Sequence, residues 1–358
     1  MKKNILYILS SYNRFSGTPK KTFDLIKYTE NNSFLYVWST AYCKEFKEGF
    51  VSITEKVFEG DYGRNVVKHI KHLINIIDKN KIEIIQTHFF FGELLGGILK
   101  IFRPKVKMII SFEGAMSAGF IKRNIQRNIY KNVDAFIYIS NYVKAEKEKV
   151  FPILKKSETA VIYNGTNRLK VDKNIEISPK KSFSLLSVSS LISIKNIDIL
   201  IDMMHFLYLD NQKDIHLYIA GDGAQRTELE EKVKSKNLEN SVHFLGKQKA
   251  IGNLLATSDV LVHPCYIEGF GLSVVEAMMA EKPVVVSNSG ALPEIVDHKK
   301  TGFLVNPFKA EDWQKAVLEL KNDKELANEI AKNAREKAEQ EFSIKRFVHN
   351  YSLFYQNL

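Results

Sequence analysis

The 358-residue chain has two cysteines, Cys43 and Cys265. They are too few for a disulfide framework and lack the CxxC spacing of a metal or redox site, so a reducing compartment is expected. No run of about 18 apolar residues occurs, so no transmembrane helix is expected. The run Ile5-Leu6-Tyr7-Ile8-Leu9 behind Lys2-Lys3 is too short for a secretory leader, and Asn13-Arg14 follows without a small-residue cleavage site. A buried first strand accounts for it, and a cytoplasmic location is the expectation. Repeats, low-complexity tracts and long polar stretches are also missing, which excludes disorder as the main state.

What is present suits a globular chain with ample core: 45% hydrophobic and 26% charged residues, at a length that implies two domains or one large α/β unit. Net charge is +11, unevenly spread. Residues 1–165 hold 27 Lys+Arg against 15 Asp+Glu, whereas residues 166–358 hold 25 against 26. The excess points to an anionic surface or ligand facing the N-terminal half, or to compositional drift in a Lys/Ile/Asn-rich chain. No nucleic-acid partner is expected.

Short apolar runs alternate with amphipathic stretches of helical length. Strands are expected at 4–9, 34–38, 83–87, 107–112, 134–139 and 159–162, then at 183–188, 215–220, 241–244, 259–263, 283–286 and 303–305. Helices fit 64–79, 91–102, 195–208, 224–236 and 310–321. Such alternation means parallel sheets covered on both faces. Two sets of six strands suggest two doubly wound domains, and the uneven spacing argues against a closed barrel. The polar boundary lies at 165–182. The stretch from Lys324 to Leu358 reads as helical with a break near Phe342-Ser343, and Phe347, Tyr351, Phe354 and Tyr355 need a surface to pack on.

The stretch 263–307 carries most of the chemistry. Strand 259–263 runs into the loop His263-Pro264-Cys265-Tyr266-Ile267-Glu268-Gly269-Phe270-Gly271, and a helix starts near Gly271-Leu272. Ligands in open α/β sheets bind beyond the carboxyl ends of strands. Free N–H groups from Gly271 to Val274 would form an anion site suited to a pyrophosphate. Glu268 and Glu276 bracket it, and carboxylates accept paired hydrogen bonds from the vicinal hydroxyls of a ribose or hexose. The plainer reading makes Glu276 a helix-dipole partner and Glu268 a solvated loop charge.

The E-x₇-E pair, set in EGFGLSVVEAM…KPVVVSNSGALPEIV…TGFLV, resembles the retaining nucleotide-sugar glycosyltransferases of family 4, with the GT-B fold. The resemblance continues at Asn164-Gly165, Lys195-Asn196, Ala220-Gly221-Asp222-Gly223, Val242-His243-Phe244-Leu245-Gly246 and Ser258-Asp259-Val260; it is strong over 160–307 and weaker over 1–160. It implies two Rossmann-like domains facing a cleft: an acceptor-side domain at 1–165, a nucleotide-sugar domain at 166–342, and a crossover helix at 343–358 returning to the first. It also implies that Glu268 holds the transferred sugar, Glu276 the ribose, and Lys195 the diphosphate without a metal. Gly17-Thr18, as a loop after the first strand, would close on the phosphates. Gly269, Phe270, Gly271 and Leu272 would border the donor, backbone groups of Gly290, Ala291 and Leu292 the sugar, and Gly246-Lys247 the base. No cofactor beyond the nucleoside-diphosphate sugar is expected.

Two departures stand out. Ser189-Ser190-Leu191 occupies the place of a usual arginine, so one phosphate cation is either missing or supplied elsewhere, by Lys20, Lys21 or Arg14. Ser111-Phe112-Glu113-Gly114 stands where the family often has a histidine after the fourth N-terminal strand, and Glu113 would replace it as a catalytic hydrogen-bonding partner. Either change could instead mark an inactive relative, a GT-B subunit that binds a partner glycosyltransferase or a glycan. His88 could serve the acceptor side or merely end a strand. His69 and His72 read as a solvated helix face, and Gly221-Asp222-Gly223 as a poor match to a dinucleotide fingerprint because Arg226 takes the third glycine position. In Phe120–Lys131, Ile121, Ile125 and Ile129 share one face while Lys122, Arg123 and Arg127 flank it. That pattern suits docking on an anionic membrane carrying a lipid-linked acceptor, or an ordinary helix with its isoleucines on the sheet.

Overall fold

The computed structural model describes residues 2–13, 17–39, 44–116, 119–171 and 182–358, which form two compact units. Residues 1–165 and 344–358 make the first, residues 166–343 the second. The first alternates β1 (Asn4–Leu9), α1 (Gly17–Tyr28), β2 (Asn32–Val37), α2 (Lys44–Ile53), β3 (Lys56–Glu59), α3 (Val66–Lys79), β4 (Ile84–Thr87), α4 (Phe89–Phe102), β5 (Lys107–Phe112), α5 (Phe120–Tyr130), β6 (Ala135–Tyr138), α6 (Asn141–Val150) and β7 (Glu158–Val161). The second contains β8 (Phe183–Val188), α7 (Ile197–Leu209), β9 (Ile215–Ala220), α8 (Arg226–Ser235), β10 (Val242–Gly246), α9 (Ile251–Thr257), β11 (Val260–His263), α10 (Leu272–Met279), β12 (Val284–Ser287), α11 (Leu292–Ile295), β13 (Phe303–Val305), α12 (Ala310–Asn322) and α13 (Lys324–Glu341). A last helix, α14 (Ile344–Gln356), belongs to the first unit.

Both sheets are parallel, in the orders β3-β2-β1-β4-β5-β6-β7 and β10-β9-β8-β11-β12-β13. Their central strands are apolar throughout because both faces are covered. In β1, Ile5, Tyr7 and Leu9 join the core shared with Phe347, Tyr351 and Tyr355 of α14. Leu6 and Ile8 point the other way, to Leu73 and Ile77 of α3 and Leu95 and Leu99 of α4. In the second unit Leu217, Ile219 and Val262 pack with Leu200 and Met204 of α7 and Trp313 of α12. Each order reverses direction at one place, between β1 and β4 and between β8 and β11, and a crevice opens there beyond the strand ends.

The structure departs from the sequence reading in several places. The first sheet has seven strands, not six, because Lys56-Val57-Phe58-Glu59 forms an edge strand. Its one covered flank requires only two apolar residues, too few to form a run. Gly17 and Thr18 open helix α1 instead of forming a loop. His69 is buried, not solvated: Tyr36 Oη lies 2.6 Å from its Nδ1 and the Gly63 carbonyl 3.0 Å from its Nε2. Part of the expected boundary, residues 172–181 with Ser178-Pro179-Lys180-Lys181, lies outside the described residues, as do Arg14 and Cys43. The aromatic face of the last helix is buried in the first unit, where Tyr355 Oη donates to Gln86 Oε1 at 2.5 Å. No helix among the described residues is long and apolar enough to cross a membrane.

Candidate active site

The second unit's switch point brings two distant loops together. After β8 the chain makes a tight turn, Ser193–Lys195, ending in Asn196 with left-handed backbone (φ +53°). Asn196 Nδ2 donates to the Pro307 carbonyl at 2.7 Å, which holds the turn. After β11, Pro264–Glu268 loops toward α10. Lys195 Nζ then lies 2.6 Å from Glu268 Oε2, and His263 Nε2–H donates to the same oxygen at 2.9 Å.

Burial pushes the Glu268 carboxyl up, but the His263 hydrogen bond and the Lys195 charge outweigh it and hold the group well below the usual carboxylate range. Burial pulls the Lys195 ammonium down, yet the Glu268 charge leaves it raised. Burial and the same carboxylate push the Cys265 thiol up to about 12. The site is thus ionised at Lys195 and Glu268, with a protonated thiol beside them.

Backbone contacts fix the loop. Ala291 N–H donates to the Glu268 carbonyl (2.9 Å), Ser289 Oγ to the Tyr266 carbonyl (2.7 Å) and Tyr266 N–H to the Ile194 carbonyl (3.2 Å). Gly290, at φ +61°, packs so closely that a Cβ there would sit 2.6 Å from the Glu268 carbonyl oxygen. The N–H groups of Ala291 and Leu292 are engaged with the carbonyls of Glu268 and Ser289. Gly271 (φ +102°) caps α10. Val274 N–H closes on the Gly271 carbonyl at 3.0 Å, so the expected anion donors shorten to those before it, ending at Leu272 and Ser273. Gly269 precedes Phe270, whose ring is buried edge-on against Phe342. Glu276 is buried one turn into α10.

Gly246 ends β10 and its carbonyl accepts from Gly221 N–H at 2.9 Å, with Lys247 next in the chain. The Gly221–Gly223 turn braces the loop after β8, Leu191 N–H donating to the Asp222 carbonyl at 3.1 Å, which is a structural use of the fingerprint-like glycines. His263, Cys265 and Glu268, all within six consecutive residues, place a nitrogen, a sulfur and an oxygen within 4.8 Å of one another. An ammonium already on the Glu268 oxygen and a thiol protonated to about 12 suit a hydrogen-bond network better than a cation site.

The first unit's switch point holds a second cluster. Glu113 Oε1, beyond β5, is ion-paired with Lys21 of α1 and accepts from His88 Nδ1–H at 2.9 Å and Ser111 Oγ at 2.8 Å. Lys21 Nζ also donates to Ser111 Oγ (3.1 Å), which lies 3.4 Å from Tyr351 Oη of α14. Burial pushes Glu113 up, but the Lys21 charge and the His88 hydrogen bond hold it at about 2. Burial lowers His88. Lys21 is buried and paired here, so it does not supply the missing diphosphate charge; Lys20 is half-buried on the same helix. Counting β3, the exit of the fourth strand is His88 itself, and Glu113 follows the fifth. His88 is buried, with Nε2 unpartnered among the described residues.

On α5 the three isoleucines part company, Ile129 alone being half-buried, against Gly97 of α4. Gln126 and Tyr130 turn inward to Glu93 at 2.7 and 3.2 Å, while Ile121 is 75% and Ile125 37% exposed. Lys122 is exposed over the Phe90 ring, Arg127 is exposed, and Arg123 is half-buried with its Nε unpartnered.

Two family descriptions cover the chain in series: "Glycosyltransferase Family 4" over residues 34–168 and "Glycosyl transferases group 1" over 170–337. An uncharacterized glycosyltransferase of Methanocaldococcus jannaschii, MJ1607, is 30% identical over 304 residues, covering 78% of this chain and 76% of that protein. Another from that organism, MJ1178, is 28% identical over 333 residues, covering 86% and 90%. The structure of Anabaena Alr3699/HepE in complex with UDP and glucose matches with a TM-score of 0.84 at 21% identity, over 99% of this chain and 100% of that one. The chain belongs to the GT-B glycosyltransferases of the family 4 and group 1 type.

Proposed function

We propose that the protein is a retaining, metal-independent hexosyltransferase. It moves a sugar from a nucleoside diphosphate to a glycan or lipid-linked acceptor, in bacterial surface polysaccharide or glycoconjugate synthesis. The carrying observation is the convergence of Lys195 and His263 on Glu268 beside the N-terminus of α10. The UDP and glucose held by the Anabaena protein support a nucleoside-diphosphate hexose as donor.

In this reading the α10 N–H groups and Lys195 take the diphosphate, stabilising negative charge as the glycosidic bond breaks. Lys195 then shares its ammonium between Glu268 and the leaving group. Glu268, kept ionised, accepts from sugar hydroxyls, and Glu276 from the ribose. The departing phosphate oxygen takes the acceptor proton, so orientation supplies much of the rate. Glu113 lies on the acceptor side, and the protein works in the cytoplasm, peripherally at the inner membrane face. The non-catalytic reading leaves an ionised Lys195–Glu268 pair beside free helix donors without a task.

A thermal-shift screen over nucleoside diphosphates tests the donor site. A ligand at 100 times its Kd stabilises by about 2.7 kcal/mol. No shift with any nucleotide overturns the assignment. Activity is expected to survive a chelator.

A further inference from the structure

A groove of about 420 Å³ lies on the first unit, between α5 and the turn Pro152–Lys156. Asn124, Arg127, Asn128 and Lys131 form one wall, and Phe151, Pro152 and Ile153 the other. The four polar residues, spaced i, i+3, i+4 and i+7, share one helix face.

Two hydrogen bonds run along this face. Arg127 Nη1 donates to Asn124 Oδ1 at 3.3 Å and Lys131 Nζ to Asn128 Oδ1 at 3.2 Å. Each asparagine side chain is thereby paired with a cation three residues on, which holds Arg127 and Lys131 along the groove wall. Both cations are exposed, and neither meets a carboxylate among the described residues. The helix dipole stabilises both Arg127 and Lys131 at the C-terminal end of α5, but it does not account for the apolar wall facing them. Two cations and two amides beside Phe151 and Pro152 fit an acceptor-rich anion carrying an apolar part.

The same helix says where that apolar part lies. Phe120 and Ile121 are 70% and 75% exposed one turn before the groove, beside Ile125. We propose that this groove seats the phosphate headgroup of an anionic phospholipid, with Phe120, Ile121 and Ile125 against the acyl boundary. The proposal rests on the peripheral-membrane reading above and adds a specific headgroup site to it.

Sedimentation of the full chain with vesicles tests it. Vesicles of phosphatidylcholine with phosphatidylglycerol are compared with phosphatidylcholine carrying oleate at equal surface charge. The groove predicts at least fivefold tighter binding to the phosphatidylglycerol vesicles. Asn124→Ala/Asn128→Ala, which keeps the charge, should erase that preference. Arg127→Gln/Lys131→Gln should weaken binding by more than tenfold, and the control Lys79→Gln/Lys81→Gln, exposed on the same unit, by under threefold. Equal binding to both vesicles, or equal losses in the two charge variants, overturns the headgroup site while leaving diffuse electrostatic docking in place. No binding to either vesicle overturns docking and headgroup site together. Release by soluble glycerol phosphate at millimolar concentration supports the groove; groove-dependent binding of a soluble polyol phosphate polymer, without vesicle binding, assigns it to that polymer and overturns the lipid.

Discussion

Each unit gathers a lysine, a glutamate and a histidine where its strand order reverses, yet the two trios differ in access. Lys21 and Glu113 have side chains 2% and 6% exposed, whereas Lys195 and Glu268 have 20% and 13%. The histidines are reversed as well: His88 offers Nδ1 to its carboxylate, and His263 offers Nε2. A sealed ion pair cannot exchange partners without exposing a bare charge, so the first trio is suited to holding shape. An open one can trade its carboxylate for a phosphate, so the second is suited to binding.

The largest effect should come from opening the sealed pair. Lys21→Met leaves Glu113 buried without its counter-charge and should cost about 3–5 kcal/mol. Lys195→Met should cost less than that, since His263 still donates to Glu268 and the pair is more open to water. The two tryptophans fall one in each unit, Trp38 and Trp313, so denaturation of Trp38→Phe and Trp313→Phe backgrounds reads the units separately. Equal losses from both lysine variants would break the contrast.

Acidification gives the next largest effect. The Glu113 carboxyl drops from 4.5 to about 2 in the folded protein. Its contribution, on the order of 3 kcal/mol, is present above pH 4.5 and is lost as pH falls toward 2. His88, also depressed, should begin to erode the first unit's stability as pH falls below 6.5. Trp38 fluorescence against pH checks both limbs, and a flat profile between 6.5 and 2 contradicts them.

Kinetics sharpen the contrast on the open side. Lys195→Ala should cost about 2–4 kcal/mol in kcat/KM, and normal turnover removes the residue from the mechanism. Glu276→Ala should weaken nucleoside diphosphate and donor alike, by about 1.5–3 kcal/mol. Glu268→Ala should harm transfer more than nucleoside diphosphate binding, as isothermal titration beside rate assays would reveal. The smallest effect concerns Cys265. With its thiol pushed up to about 12, only about one molecule in ten thousand is thiolate at pH 8. Native protein in a Cys43→Ser background should therefore resist a thiol reagent, and fast labelling would show that the cluster opens.

The strands with both faces covered were legible in the sequence because burial leaves apolar runs such as Ile5–Leu9 and Val260–Val262. β3 was not, since an edge needs only Val57 and Phe58, and missing it shifted the strand count that placed Glu113. The glycine loop marked Glu268 and Glu276, whose neighbourhood is local in the chain. Lys21 meets Glu113 across 92 positions, and His263 shares an oxygen with Lys195 from another strand's end. Contacts made by topology have no spacing to read. Lys21 was expected near a diphosphate because a charge count cannot distinguish a sealed lysine from an open one.

Helix α14 has a consequence for biosynthesis. Its Tyr351 and Tyr355 complete the first unit's core, but residues 344–358 leave the ribosome after all of residues 166–343. At about 5–20 residues per second, the nascent first unit waits roughly 10–35 s for its missing wall. Through that interval the faces of Tyr7 and Ile109 that α14 will cover are open to chaperones and proteases. A premature stop anywhere in the second unit would therefore yield a product whose damage lies in the part already made.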